Sequence, residues 1–485
     1  MVTNGEASSI FKDFWAWRLK DSPEFATLIG VHLHDGCLQE YSLDSFAKRK
    51  KKCKMFLEEA IQYASHVKED NELKENLQLF IDELSNYIKG LDAKGYVFPI
   101  NYLEGVQLEF VRLIELMKFE NERDYRNLFA RYGGLAGQFL DMIQVMQEGM
   151  RTGMTYHPVS MEGVIDQMKR LQEDAPENSI FYKPLLSMPD TISEQRKDEL
   201  RKEALPLIQH GVQGMFGELQ FFLEYEYFSC LRPNVGISSI PNGKEYYQMC
   251  LEFHLGFHMT PEEVHEMGLR EVARISADIE RVIESMELCM PVKEFYEHMR
   301  QDESFYFNDA AELVDAYHGI VFNQIKPKLD KIIKTMPQCE LVIKPTPPSM
   351  ASGPAAYYLA GTLDGSQPGV FYVNVRDVKA TPKYEMMTLA LHEALPGHHL
   401  QASYMMEQRG LPDFRRYIED RKYGEAPSRF PLHSAYVEGW GLYCEYLGYE
   451  LGLYEDSYFH FGHLSHEMLR ACRLVVDTGL HALNI

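Results

Sequence analysis

No run in this sequence approaches the ~18 uninterrupted apolar residues of a membrane span, so no membrane partner is expected. Basic charge is also scarce: 49 Lys and Arg face 72 Asp and Glu, for a formal net charge of -23. That balance argues against a nucleic-acid partner, whose phosphates need a basic face. The one basic block, "AKRKKKCKM" near Lys50, is expected to be a solvated helix face. Close cysteine pairs are missing too. The eight cysteines (Cys37, Cys53, Cys230, Cys250, Cys289, Cys339, Cys444 and Cys472) include no C-x-x-C. The opening "MVTNGEASSIFKDFWAW" lacks a basic stretch followed by an apolar one, so no secretory signal is expected. Both features point to reduced thiols and a cytoplasmic location. Gly-rich phosphate loops, serine elbows, dinucleotide fingerprints, internal repeats and low-complexity segments are absent as well.

What is present is a chain of 485 residues, 45% hydrophobic and 25% charged, long enough to bury a large core. The first ~230 residues read as helices joined by short loops. "FVRLIELMKF" and "LAGQFLDMIQVMQEGM" carry apolar residues three and four apart, whereas "EDAPENSIFYKPLLSMPDTIS" and "LRPNVGISSIPNGKEYY" are rich in helix breakers. Thr260 is placed to cap a helix that begins at Pro261. Near residue 340 the pattern changes: "ELVIKP" and "VFYVNV" read as strands. From Thr381 helices return, with Thr381-Pro382 as cap and first helical position. The expected fold is therefore mainly α, with a small β-sheet just before an unusual histidine motif. It forms one large helical domain over 1–485, or two lobes spanning 1–230 and 231–485.

The motif is "HEALPGHH", residues 392–399. It begins like the helical zinc signature H-E-x-x-H, but no histidine stands four residues after His392. On an unbroken helix His398 would point roughly 120° away from His392, and His399 would lie about 10 Å along the axis. Neither could share with His392 a zinc ion whose nitrogen ligands sit at about 2.0–2.1 Å. Pro396, however, clashes with the carbonyl four residues back and breaks the helix, and Gly397 frees the backbone at the break. A bulge of two residues returns His398 to the ligand position; a bulge of three brings His399 there instead. Taken alone, the octet also fits histidines that cap a helix or face solvent.

A zinc site needs a third protein ligand and an open position for water. In the apolar helix "SAYVEGWGLYCEYLGYELGLY" Glu438 and Glu445 interrupt one side. A carboxylate there is costly unless paired, protonated or bound to metal. Glu438, beside Gly439, is the third-ligand candidate; its alternative is an ion pair with Arg470 or Arg473. Glu393 is placed to act as general base toward a water acidified by the metal. The strand "GVFYVNV", about 17 residues before His392, offers an edge on which an extended substrate would pair. Arg470, Arg473, Asp477 and His481, spaced by three and four, are candidates for binding developing negative charge, or else for an ion-pair network. Tyr357 and Tyr358 are weaker oxyanion candidates. His254 and His258, at i,i+4, lack nearby acidic or thiol partners and are expected to be core or surface residues.

"HEALPGHHLQ", with "YYLAGTLDGSQPGVFYVNV" before it and "EGWGLYCEYLGYELGLY" and "RACRLVVDTGLHA" after it, resembles a family of predicted zinc metallopeptidases catalogued as domain-of-unknown-function family 885. "IPNGKEYYQMCLEFHLGFHMTPEEVHEMGL" resembles it too, so the likeness covers at least residues 230–485. The resemblance implies a zincin-like fold, distantly similar to the thimet and neurolysin oligopeptidases. It implies zinc on His392, His398 and Glu438, with Glu393 as base and peptides as substrates. His399, Gln401, Arg473 and His481 would lie around the metal or face the substrate. Members of that family usually continue for roughly another hundred residues, a domain-sized layer, so a shortened and inactive helical binding protein is an alternative expectation. A zinc hydrolase of a non-peptide amide or ester is another.

Overall fold

The computed structural model describes residues 4–67, 70–288, 290–346, 355–362, 365, 367–417, 423–430 and 433–485. It divides into two compact units: residues 1–253 with 411–432, and residues 254–410 with 433–485. The sequence suggested a boundary at 230/231; the units meet at 253/254, and a short later segment returns to the first. Within the described residues the secondary structure is helical apart from one three-stranded sheet, which establishes a mainly α fold. Seven cysteines carry free thiols, and Cys289 lies outside the described residues. Among the described residues, no helix is long and apolar enough to cross a membrane.

The first unit is built around long capped helices. In α1 (Leu43–His66) the Ser42 hydroxyl accepts the Ser45 N–H, and in α2 (Asn71–Ala93) Asp70 accepts that of Leu73. In α3 (Glu122–Thr152) Asn121 and Asp124 form a reciprocal capping box. These caps satisfy amide groups that a helix start otherwise leaves orphaned. Phe14, Phe80, Tyr125, Tyr132 and Phe139 pack into its core, all fully or almost fully buried. The basic block lies in α1, where Lys48 pairs with Asp44 and Lys50 with Asp92. Arg49 departs from the solvated face: it is buried, with Nε 2.8 Å from Asp21. The returning segment crosses α2 at Gly90, where an added Cβ would meet the Pro427 carbonyl oxygen at 1.8 Å. Ser428 Oγ donates to the Gly90 carbonyl there, at 2.6 Å.

The second unit opens with α4 (Pro261–Ser285), where Thr260, the cap expected from the sequence, forms a capping box with Glu263. Then come β1 (Leu341–Pro345), β2 (Ala356–Leu359) and β3 (Gly369–Val373). The strand order is β1-β3-β2, with β1 parallel and β2 antiparallel to β3. β3, the strand expected to offer a free edge, is therefore central; among the described residues β1 and β2 are the outer strands. The strand β2 lies within the tyrosine-rich run "AAYYLAG", too short and too close to glycine to be distinguished from a turn by pattern.

Four helices follow: α5 (Met386–Glu393), α6 (His398–Glu407), α7 (Ser434–Glu450) and α8 (Ser457–Thr478). Thr381 does not cap α5. Pro382 is extended at ψ 150, a 3-10 turn spans Lys383–Glu385, and the α-helix begins at Met386. The helix α5 is buried on nearly every side, against α7, α8 and β2. Close packing depends on two glycines. Gly462 of α8 lies against the Tyr384 carbonyl and Gly268 of α4 against Leu474 and Val475, with added Cβ atoms at 1.8 and 2.8 Å from their nearest neighbours.

Candidate metal centre

The helix break expected at Pro396 is present. The helix α5 stops at Glu393, Ala394–Gly397 form a turn containing a cis Leu395–Pro396 peptide, and α6 starts at His398. Gly397 is required by contact: a Cβ on it would sit 1.8 Å from the His392 carbonyl oxygen and 2.4 Å from that of Leu391. The turn is held from α7, where Trp440 Nε1 donates to the carbonyls of Pro396, at 2.9 Å, and Gly397, at 3.2 Å. These contacts fold the start of α6 back beside the end of α5.

As a result His392, His398 and Glu438 converge, with one potential ligand atom from each lying within 4.8 Å of the others. Glu438 Oε2 is 3.4 Å from His392 Nε2 and 3.8 Å from His398 Nε2. The two imidazoles meet edge to face, 4.7 Å between centroids. Ligands held tetrahedrally at about 2.0–2.1 Å from zinc are about 3.4 Å from one another. The spacing and the donor types therefore fit a zinc ion. His392 is buried, His398 mostly so, and Glu438 is 51% exposed, which leaves the group open on one side. Glu393 is half-buried and ends α5 directly after His392.

His392 is held from behind by Glu445, which the sequence reading named but gave no role. Its Nδ1 lies 2.7 Å from Oε1 of Glu445, a carboxylate with no solvent exposure. Burial opposes charge on His392. Its bonds to Glu438 and Glu445 and the nearby Glu393 prevail and push it up to about 9. Burial alone would raise the Glu445 carboxyl; His392 and the Arg470 guanidinium, 3.3 Å away, hold it below its ordinary value. Arg470 thus pairs with Glu445, and the alternative that it neutralises Glu438 is set aside. The close approach of α7 to His392 is at Gly441. A Cβ on Gly441 would meet His392 ring atoms at 2.6–2.9 Å, whereas one on Gly439 would meet nothing within 4 Å.

The remaining candidates disperse. His399 turns to the sheet: Nδ1 is 3.1 Å from the Tyr358 hydroxyl, and burial lowers it to about 4, so it is a neutral core histidine. Gln401 Nε2 donates to the Tyr436 carbonyl at 3.2 Å and ties α6 to α7. Arg473 is exposed on α8, and His481 lies past its end in a π-helical turn, Gly479–Leu483; neither belongs to the converging group. Tyr357 stacks on Tyr372, and His254 Nδ1 bonds the Ser434 hydroxyl at 2.8 Å. The signal for Glu445 was available: it follows Glu438 by seven residues, nearly two turns, on one face of an apolar helix.

The fold is similar to two solved structures. A protein from Colwellia psychrerythraea, described as a candidate lipoprotein, superposes with a TM-score of 0.89 at 24% identity, over 100% of this chain and 85% of that one. A candidate lipoprotein of unknown function from Shewanella oneidensis gives 0.60 at 15%, over 99% and 84%. No curated protein matches the chain. The family profile described as "Bacterial protein of unknown function (DUF885)" matches residues 23–485. The chain is a member of the DUF885 family.

Proposed function

We propose that the protein is a zinc-dependent hydrolase that cleaves peptide bonds. One observation carries this reading: each ring nitrogen of the buried His392 faces a carboxylate, with a second imidazole beside the outer one. A neutral imidazole has a single N–H to donate. With Nδ1–H given to Glu445, the Nε2 lone pair is aimed at a carboxylate oxygen 3.4 Å away. A proton on Nε2, favoured by the raised His392 value, relieves the repulsion between them, and a cation in its place would do the same. Two imidazoles and a carboxylate, converging at zinc spacing, select a divalent cation of the borderline type.

His392, His398 and Glu438 would hold the ion. Zinc supplies a Lewis acid that acidifies a water and polarises a carbonyl oxygen. Glu393, at the end of α5 and half-buried, accepts the proton as the water oxygen adds to the carbonyl carbon. It then passes that proton to the departing amine nitrogen as the C–N bond breaks. A peptide is favoured over a compact ester because β2 is an outer strand packed against α5 and α6, and an extended chain can add its backbone to such an edge. The test is metal content and peptide hydrolysis for the wild type and Glu393→Gln. One equivalent of zinc in both, with turnover lost in the variant, is expected. Unchanged turnover in the variant, or a wild type that binds no zinc, refutes the reading.

A further inference from the structure

We infer that Glu445 and Arg470 are positioning residues that set metal affinity from behind His392, an inference that rests on the zinc reading above. Glu438 and Glu445 face the same side of α7, and His392 lies between them. Glu438, half-exposed, faces Nε2; Glu445, with no exposure, takes Nδ1. The inner carboxylate thereby fixes the tautomer, since a hydrogen on Nδ1 leaves the Nε2 lone pair pointing toward His398 and Glu438. It also fixes the ring's angle, because Gly441 leaves the imidazole no free space on its α7 side.

A carboxylate buried this completely is costly. Here the cost is met incompletely: Arg470 Nη2 reaches Oε1 at 3.3 Å, while His463 Nδ1 stands 3.8 Å from Oε2, beyond hydrogen-bond distance. The backbone behind is braced by Tyr454, whose hydroxyl donates to the Glu445 carbonyl at 2.9 Å and lies 3.3 Å from the Thr388 hydroxyl of α5. Arg470 is itself anchored to the His466 carbonyl at 3.2 Å. A mere tie between α7 and α8 would not require the acidic oxygen to sit on a ligand's second nitrogen. Placed there, it makes the imidazole a stronger electron donor, and Arg470 holds that carboxylate oxygen in place against the ring.

The experiment measures zinc dissociation constants by chelator competition on the full chain for the wild type, Glu445→Gln and Arg470→Met, alongside thermal unfolding of the metal-free proteins. Glu445→Gln should weaken zinc roughly 10- to 100-fold and shift the visible absorption of the cobalt-loaded form. Arg470→Met, at a residue one-third exposed, should weaken zinc by about threefold or more. Zinc binding within threefold of wild type in a folded Glu445→Gln variant overturns the inference and leaves the zinc reading standing. A wild type that binds no zinc overturns the zinc reading itself. If Glu445→Gln fails to fold, Arg470→Met decides: weakened binding supports the inference and unchanged binding overturns it.

Discussion

Gly441→Ala is expected to abolish tight metal binding in a protein that still folds. A methyl group at this position would lie 2.6 Å from Cε1, 2.7 Å from Nε2 and 2.9 Å from Nδ1 of His392. Comfortable separations begin at about 3.5 Å, so the ring would have to withdraw by about 0.9 Å. Metal geometry tolerates displacements of about 0.2 Å. The ring has no easy retreat, since Glu445 holds Nδ1 at 2.7 Å and α5 is buried on nearly every side. Overpacking of this kind costs about 1–3 kcal/mol. Replacing a mid-helix glycine by alanine returns about 1 kcal/mol. Net destabilisation is therefore at most about 2 kcal/mol, too little to unfold an ordinary domain. Zinc affinity should fall at least tenfold, equivalent to about 1.4 kcal/mol. Chelator competition measures the affinity and circular dichroism on heating measures the fold. A variant that binds zinc within twofold of wild type would refute the packing argument.

Other consequences are open to direct test. His398→Ala should remove zinc binding, whereas His399→Ala should leave the dissociation constant within about threefold, because the His399 ring bonds Tyr358 instead; equal losses would refute that assignment. Trp440→Phe keeps the aromatic bulk but removes the donor to Pro396 and Gly397. It should weaken zinc severalfold while unfolding shifts by only about 1 kcal/mol; unaltered affinity would show that the turn holds itself. In the first unit, burial raises the Glu425 carboxyl to about 7, opposed by Arg429, and the Tyr41 hydroxyl donates to it. Its folded value lies above its unfolded one, so the stability it lends is complete below about pH 4.5 and is lost as pH rises through 7. Glu425→Gln should therefore gain up to about 3 kcal/mol over wild type between pH 4.5 and pH 8 in denaturant unfolding. A gain independent of pH would show that the carboxyl does not titrate there.

Much of the centre was legible because its chemistry is local. That a proline four residues after His392 breaks the helix needs only the sequence; that Gly397 is there because a Cβ would meet the His392 carbonyl was seen only in the structure. The cap at Thr260 was equally plain, since a threonine directly before a proline-led helix start is a local signal. The partners of β3 were hidden for the opposite reason. Whether a strand is central or at an edge depends on which other segments pair with it, and β2 gave a pattern of only four residues. The role of Gly441 was hidden in the same way: only the position of α5 against α7 shows that the imidazole touches it.

His398 and His399 make the general point most sharply. Adjacent on the chain, identical in chemistry and both largely buried, they face different neighbours because consecutive residues on a helix differ by about 100°. One turns to Glu438 at 3.8 Å and the other to Tyr358 at 3.1 Å. The number of residues absorbed in the turn decides which of them is which. Trp440 bonds two carbonyls of that turn from another helix, a contact that no local pattern encodes. The octet therefore supplies two like imidazoles, and α7 brings Glu438 to only one of them, His398. On the zinc reading, α7 makes four contacts to the centre: Trp440 on the turn, Glu438 as third ligand, Gly441 against the His392 ring and Glu445 on its Nδ1. A substitution that moves α7 should disturb all four at once, whereas one that moves the sheet should reach only His399.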